Sequence, residues 1–204
     1  MLSKSISGIP ARVLPACASN KSKRHTRIKM NLKSRDGREF RLTILGYQFP
    51  DITNQYEDSN WLNIRIQVKD RRGPWETSGP WLRTEDVAEL ATWLDAVAVE
   101  APMINRETLR ETGRSLPPGF PNLRLYDSME FLEPNLRFAF VEKASDFAIL
   151  RIYFELEARP PWAAASAAGM EDLWIDLHVS PEAVKAAAQS LRSDLSVFPI
   201  RAMG

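Results

Sequence analysis

Apolar and polar residues alternate along Leu62-Asn63-Ile64-Arg65-Ile66-Gln67-Val68-Lys69. A period of two marks a strand with one buried and one wet face. The pattern returns within residues 147–157, where Leu150, Ile152, Phe154 and Leu156 alternate with Arg151, Tyr153, Glu155 and Glu157. Ile28, Met30 and Leu32 alternate ahead of Arg35-Asp36-Gly37-Arg38, and Phe40, Leu42 and Ile44 alternate after it. Asp-Gly between two such runs predicts a β-hairpin. Residues 75–82 read as a short, broken strand, and Pro80 points to a sheet edge because it cannot donate to the ladder.

The period then changes. Val87, Leu90, Ala91, Leu94 and Ala98 recur at helical steps behind Thr84-Glu85-Asp86, with Thr84 read as the cap. Val184, Ala187, Ala188, Leu191 and Leu195 do the same behind Ser180-Pro181-Glu182, a serine cap with proline at the first helical position. Between these helices lie strand candidates at 123–128, 129–141 (bent or divided near Pro134), 147–157 and 173–179. The order strand, strand, strand, strand, helix thus occurs twice. The expected fold is α+β: mainly antiparallel β-sheet with two packed helices and an internal ββββα pseudo-repeat. Each unit alone leaves an apolar face open, so the two are expected to pack together. In register, Leu62 to Val68 maps onto Leu150 to Leu156 and Thr84 onto Ser180, while the helical stripes fit better one residue further on. The difference is taken up by an insertion at 159–169.

Composition refines this organisation. Residues 1–24 read as a disordered basic leader, 25–115 as the first unit, 116–121 (Leu-Pro-Pro-Gly-Phe-Pro) as a linker and 122–204 as the second unit. Residues 25–204 are expected to form one compact domain, with a further amphipathic turn at 103–115. Residues 1–38 hold ten Lys/Arg against Asp36 alone, a charge of +9; the remainder holds 17 against 25 acids, or −8. An acidic body argues against direct nucleic-acid binding and favours a basic protein partner, although such a charge also serves solubility alone. One cysteine, Cys17, permits no intrachain disulfide and suits a cytoplasmic location. No apolar run approaches the ~20 residues of a membrane-spanning helix.

Residues 48–59 have the composition of a surface loop. Asp51, Glu57 and Asp58 on that loop are the candidate partner-binding residues. The same acids could hold a cation, but the spacing is not that of an EF-hand. Trp61, Trp75, Trp81 and Trp93 crowd into 33 residues, a cluster that closes a core or stacks on bases or sugars. His178 near Asp176 on a strand reads as a surface residue or a general base. With two histidines and one cysteine, the usual zinc spacings do not occur, and neither phosphate-loop glycine motifs nor G-x-S-x-G is found. No catalytic residue and no cofactor is expected.

Several motifs in order are similar to the WapI family of bacterial immunity proteins. They are Gly46-Tyr47-Gln48-Phe49-Pro50, the acidic stretch into Asn60-Trp61-Leu62, and Gly73-Pro74-Trp75. Leu82-Arg83-Thr84-Glu85 entering Leu90-Ala91-Thr92-Trp93-Leu94 follows, then Phe131-Leu132-Glu133-Pro134-Asn135-Leu136 and Glu155-Leu156-Glu157-Ala158-Arg159-Pro160-Pro161-Trp162. The match runs from about Phe40 to Leu195. Gly79-Pro80-Trp81 departs from it, standing where a less bulky approach to the helix is expected. The resemblance implies a non-enzymatic protein that binds and neutralises a polymorphic toxin, often one with a nuclease end. On that reading the partner is a cognate toxin domain with a basic surface. Two other classes stay open on residue chemistry. One is a ligand-binding or enzymatic domain with a pocket between the halves; the other is a module whose basic leader binds nucleic acid.

Overall fold

The computed structural model describes residues 29–99, 127–143, 146–164 and 173–203. The leader at 1–24, the turn at 103–115, the linker at 116–121 and Leu123-Arg124-Leu125 lie outside the described residues.

Strands β1 (Met30–Lys33), β2 (Glu39–Tyr47), β3 (Trp61–Asp70) and β4 (Gly73–Arg83) form one antiparallel sheet in chain order. The helical turn α1 (Tyr56–Ser59) sits between β2 and β3, and helix α2 (Thr84–Ala98) follows β4. Strands β5 (Ser128–Glu130), β6 (Leu136–Lys143), β7 (Ala148–Phe154) and β8 (Trp174–Val179) form a second sheet, again in chain order. Between β7 and β8 come a 3₁₀ turn (Leu156–Ala158) and the helical turn α3 (Pro161–Ala164); helix α4 (Pro181–Leu195) follows β8. The expected α+β architecture and its twofold ββββα order are therefore present. In each half the second strand carries a bulge against the third, between Ile44 and Gly46 and between Phe140 and Glu142.

The sequence pattern explains most of these elements. Gly37 takes φ +86°, the left-handed conformation the first hairpin turn requires. Leu62, Ile64, Ile66 and Val68 are all buried, as are Phe40, Leu42 and Ile44 opposite them. Pro80 lies on β4, an edge strand as expected, but that strand runs for 11 residues and bends at a bulge near Asn63 rather than being short and broken. Pro134 separates β5 from β6. Trp81 and Trp93 are core residues, which settles the cluster toward packing for those two.

Two expectations need correction. Thr84 is not the cap of α2: it is the first helical residue, its buried hydroxyl donates to the Asn60 carbonyl at 3.3 Å, and the cap position is Arg83, whose backbone N–H donates to the Asp86 carboxylate at 2.7 Å. The buried row matching Leu62 to Val68 is Ala148, Leu150, Ile152 and Phe154, two residues earlier than the sequence alignment. The reason is that β7 stops at Phe154, and Leu156 then turns outward at φ +45° with more than half its surface exposed. The α4 cap, by contrast, is Ser180, whose Oγ accepts the Ala183 N–H at 3.3 Å.

The halves meet through one core. The Phe40 ring lies 5.7 Å from Phe138 and 6.3 Å from Phe154, and Trp75 lies 5.0 Å from Phe154. Helices α2 and α4 pack on each other, with an Arg192–Asp95 ion pair at 2.5 Å across the seam. At one edge β1 approaches β8: the Arg35 N–H donates to the His178 carbonyl at 3.1 Å and the His178 N–H to Ser34 Oγ at 3.0 Å. At the other, Thr77 Oγ1 donates to the Glu157 carbonyl at 3.4 Å, within the 3₁₀ turn. Burying each large aliphatic or aromatic side chain in this core contributes roughly 1.5–3 kcal/mol.

Candidate partner interface

The polar loop between β2 and β3 is closed at its base, where the Gln48 N–H donates to the Trp61 carbonyl at 2.8 Å. Its conformation is fixed from a distance. The Arg201 guanidinium donates to the carbonyls of Phe49, Pro50 and Ile52 at 3.2, 2.9 and 3.1 Å. The same guanidinium lies over the Tyr47 ring, 3.4 Å from its centroid. A charged donor on three carbonyls ties down backbone that would otherwise be left to water. Asn60, fully buried, completes the clamp. Its Oδ1 accepts the Arg201 N–H at 2.8 Å, and its Nδ2 donates to Glu85 Oε1 at 2.8 Å and the Ala202 carbonyl at 2.7 Å. The Tyr47 hydroxyl donates to the Pro199 carbonyl. Burial raises the Tyr47 pKa, with Arg201 opposing, so the hydroxyl stays protonated and able to donate.

Asp51 stands exposed on this loop, Glu57 is exposed on α1, and Asp58 is half-buried beside it. None of the three carboxylates has an ion-pair partner among the described residues. The structure does not gather them into one site. Asp58 instead lines an open groove of about 540 Å³ with Glu133 and Glu157 of the second half. Asp51 and Glu57 lie outside that lining.

A second cavity, about 570 Å³, opens where the halves meet near β8 and is lined by Arg38, Arg71, Arg72, Trp75, Trp162 and Asp176, among others. Most of its charges are already engaged. Arg38 pairs with Asp36 at 2.6 Å, and that hydrogen-bonded pair holds the Asp36 carboxyl well below the usual carboxylate range. Arg151 grips Asp176 through two bonds of 2.7 and 3.0 Å, which pushes the Arg151 pKa above its already high value. Arg72 stacks on Trp162 at 4.0 Å. His178 also lines this cavity; its ring stacks on Phe147 at 5.2 Å, and Asp176 is committed to Arg151, so the two do not form an acid–base pair. Among the described residues no group of three or more His, Cys, Asp or Glu side chains is placed to hold a metal ion. No described helix is long and apolar enough to cross a membrane.

Of the three acids singled out in the sequence, only Asp58 lines this groove, and Glu133 and Glu157 join it there. Both of these acids lie in motifs that carried the family resemblance. Their approach to Asp58 is set by how the halves pack, which no local pattern encodes. Residues 31–199 match the profile of the Immunity protein WapI-like family. No curated protein matches the chain. With the profile spanning both sheets and both long helices, the chain belongs to the WapI-like immunity protein family.

Proposed function

We propose that this protein binds a cognate toxin domain of a polymorphic toxin system in the cytoplasm and neutralises it by occlusion, without catalysis of its own. The toxin face is basic, and Asp51, Glu57 and Asp58 meet it. The observation that carries this reading is a set of carboxylates without ion-pair partners on a loop that Arg201 and Asn60 hold rigid. Opposite potentials speed encounter, and a loop ordered in advance loses little entropy on docking. A nuclease fits as the toxin class because a surface that binds phosphates is itself basic.

The test is co-expression with the toxin domain encoded beside this gene, followed by co-purification and an assay of residual toxin activity. A stable complex and a silenced toxin are expected. A toxin that stays active and unbound overturns the reading. A second reading, a small-ligand site in the arginine- and tryptophan-lined cavity, draws on the volume and aromatic walls of that cavity. Replacing Trp162 by Ala separates the two: it should leave toxin binding intact if the acidic loop is the interface.

A further inference from the structure

The groove that Asp58 shares with Glu133 and Glu157 differs from an ordinary patch of surface acids. Three carboxylates line it, none is ion-paired, and no cation lines it among the described residues. Asn135, which is 2% exposed, lines the same groove. Its Oδ1 accepts the Glu157 N–H at 3.1 Å, while its Nδ2 finds no acceptor among the described residues. Trp81, also 2% exposed, lines the groove with an Nε1–H that likewise has no acceptor there. Gly79 keeps that indole edge clear: a Cβ at position 79 would fall 2.2 Å from Trp81 Nε1. Neither N–H is sealed off: both open into the groove, where water now serves them and a ligand's acceptor can replace it.

We infer that this groove receives an extended segment of the toxin that carries an arginine. The inference rests on the toxin-binding reading and names the chemistry of its contact. The Asn135 amide and the Trp81 indole donate to backbone carbonyls of the segment. The guanidinium meets the three carboxylates, with Phe49 and the other groove aromatics beside it for stacking. Arginine suits the site better than lysine because its planar fork both bridges carboxylates and stacks on rings.

The experiment uses the full-length, ¹⁵N-labelled protein and two probes. The first is acetyl-glycyl-arginine N-methylamide, titrated to millimolar concentration. Saturable shifts of the Trp81 indole and Asn135 side-chain amide resonances are expected, at least fivefold weaker in Glu133→Gln/Glu157→Gln and absent with the glutamate analogue of the peptide. No shift at those two groups overturns the groove. The second probe is the toxin domain encoded beside the gene. The double variant should bind it at least tenfold more weakly, with an unchanged melting temperature establishing that the fold is intact. Equal binding by wild type and double variant overturns the groove and leaves the immunity reading standing. Loss of toxin binding by the wild type itself, with the peptide shifts present, overturns the immunity reading instead.

Discussion

The two cavities at the meeting of the halves are built from the same sheets and have opposite chemistry. The arginine–tryptophan cavity has its charges largely satisfied within the chain: Arg38 by Asp36, Asp176 by Arg151 and Arg72 by the Trp162 ring, with Arg71 exposed on the turn tip as the exception. The acidic groove leaves its three carboxylates without ion-pair partners and two N–H donors without acceptors among the described residues. Paired surface charges contribute little and ask for nothing further. Unpaired groups held in place by the fold remain available to a partner from outside, as proposed above. On the proposed reading the first cavity is cladding and the second is interface, even though the first holds the more conspicuous exposed tryptophans.

The hardest test of that comparison is whether both cavities hang on one core. Phe154 touches Phe40 and Trp75 across the halves, so Phe154→Ala should destabilise by about 3–5 kcal/mol. Urea unfolding followed separately by tryptophan fluorescence and circular dichroism should give coincident transitions; two separated ones would mean that the halves fold independently. Next in size is Asn60→Ala. It removes three hydrogen bonds at a fully buried position and should cost about 1–3 kcal/mol while weakening toxin binding through the loosened loop. Calorimetric melting and titration against the toxin check the two effects.

Smaller still, Arg151→Ala breaks a partly exposed pair on the cladding side and should change stability by at most about 1 kcal/mol, with toxin affinity unaltered. A large affinity loss there would reverse the assignment of interface and cladding. The smallest effect is expected at Asp36. Its folded pKa is depressed by Arg38, so its contribution is present above the ordinary value of 3.8 and is lost as pH falls below it. Asp36→Asn should cost under about 1 kcal/mol near neutrality, the carboxylate being over a third exposed, and the gap from wild type should close in acid.

Much of the frame was legible in the chain because its signals are local. The alternation at 62–68, the Asp36-Gly37 turn and the Ser180-Pro181 helix start each rest on a few adjacent residues, and each appears where expected. Thr84 shows where local reading slips by one: its hydroxyl is drawn to the Asn60 carbonyl, 24 residues away, and Arg83 takes the cap. Leu156 fits the alternation yet faces water, because the chain leaves the sheet one step before it. The proposed interface was less legible for a stronger reason. Asp58 carried an acidic-loop signal, but Glu133, Glu157 and Asn135 acquire meaning only once the second half lies against the first. Nothing in Arg201, a lone arginine among Ile200 and Ala202, marked it as the residue that shapes residues 49–52.

That clamp also sets an order of events during synthesis. Arg201 follows Asn60 by 141 positions, and the carbonyls it grips by about 150. On a ribosome adding ~5–20 residues per second, the loop waits roughly seven to thirty seconds for its fastener to be added. The first sheet can pair during that interval from contacts already in hand, whereas the acidic loop reaches its final shape only afterwards. A nascent chain therefore presents residues 49–52 unclamped, and only the finished molecule holds them in the shape described.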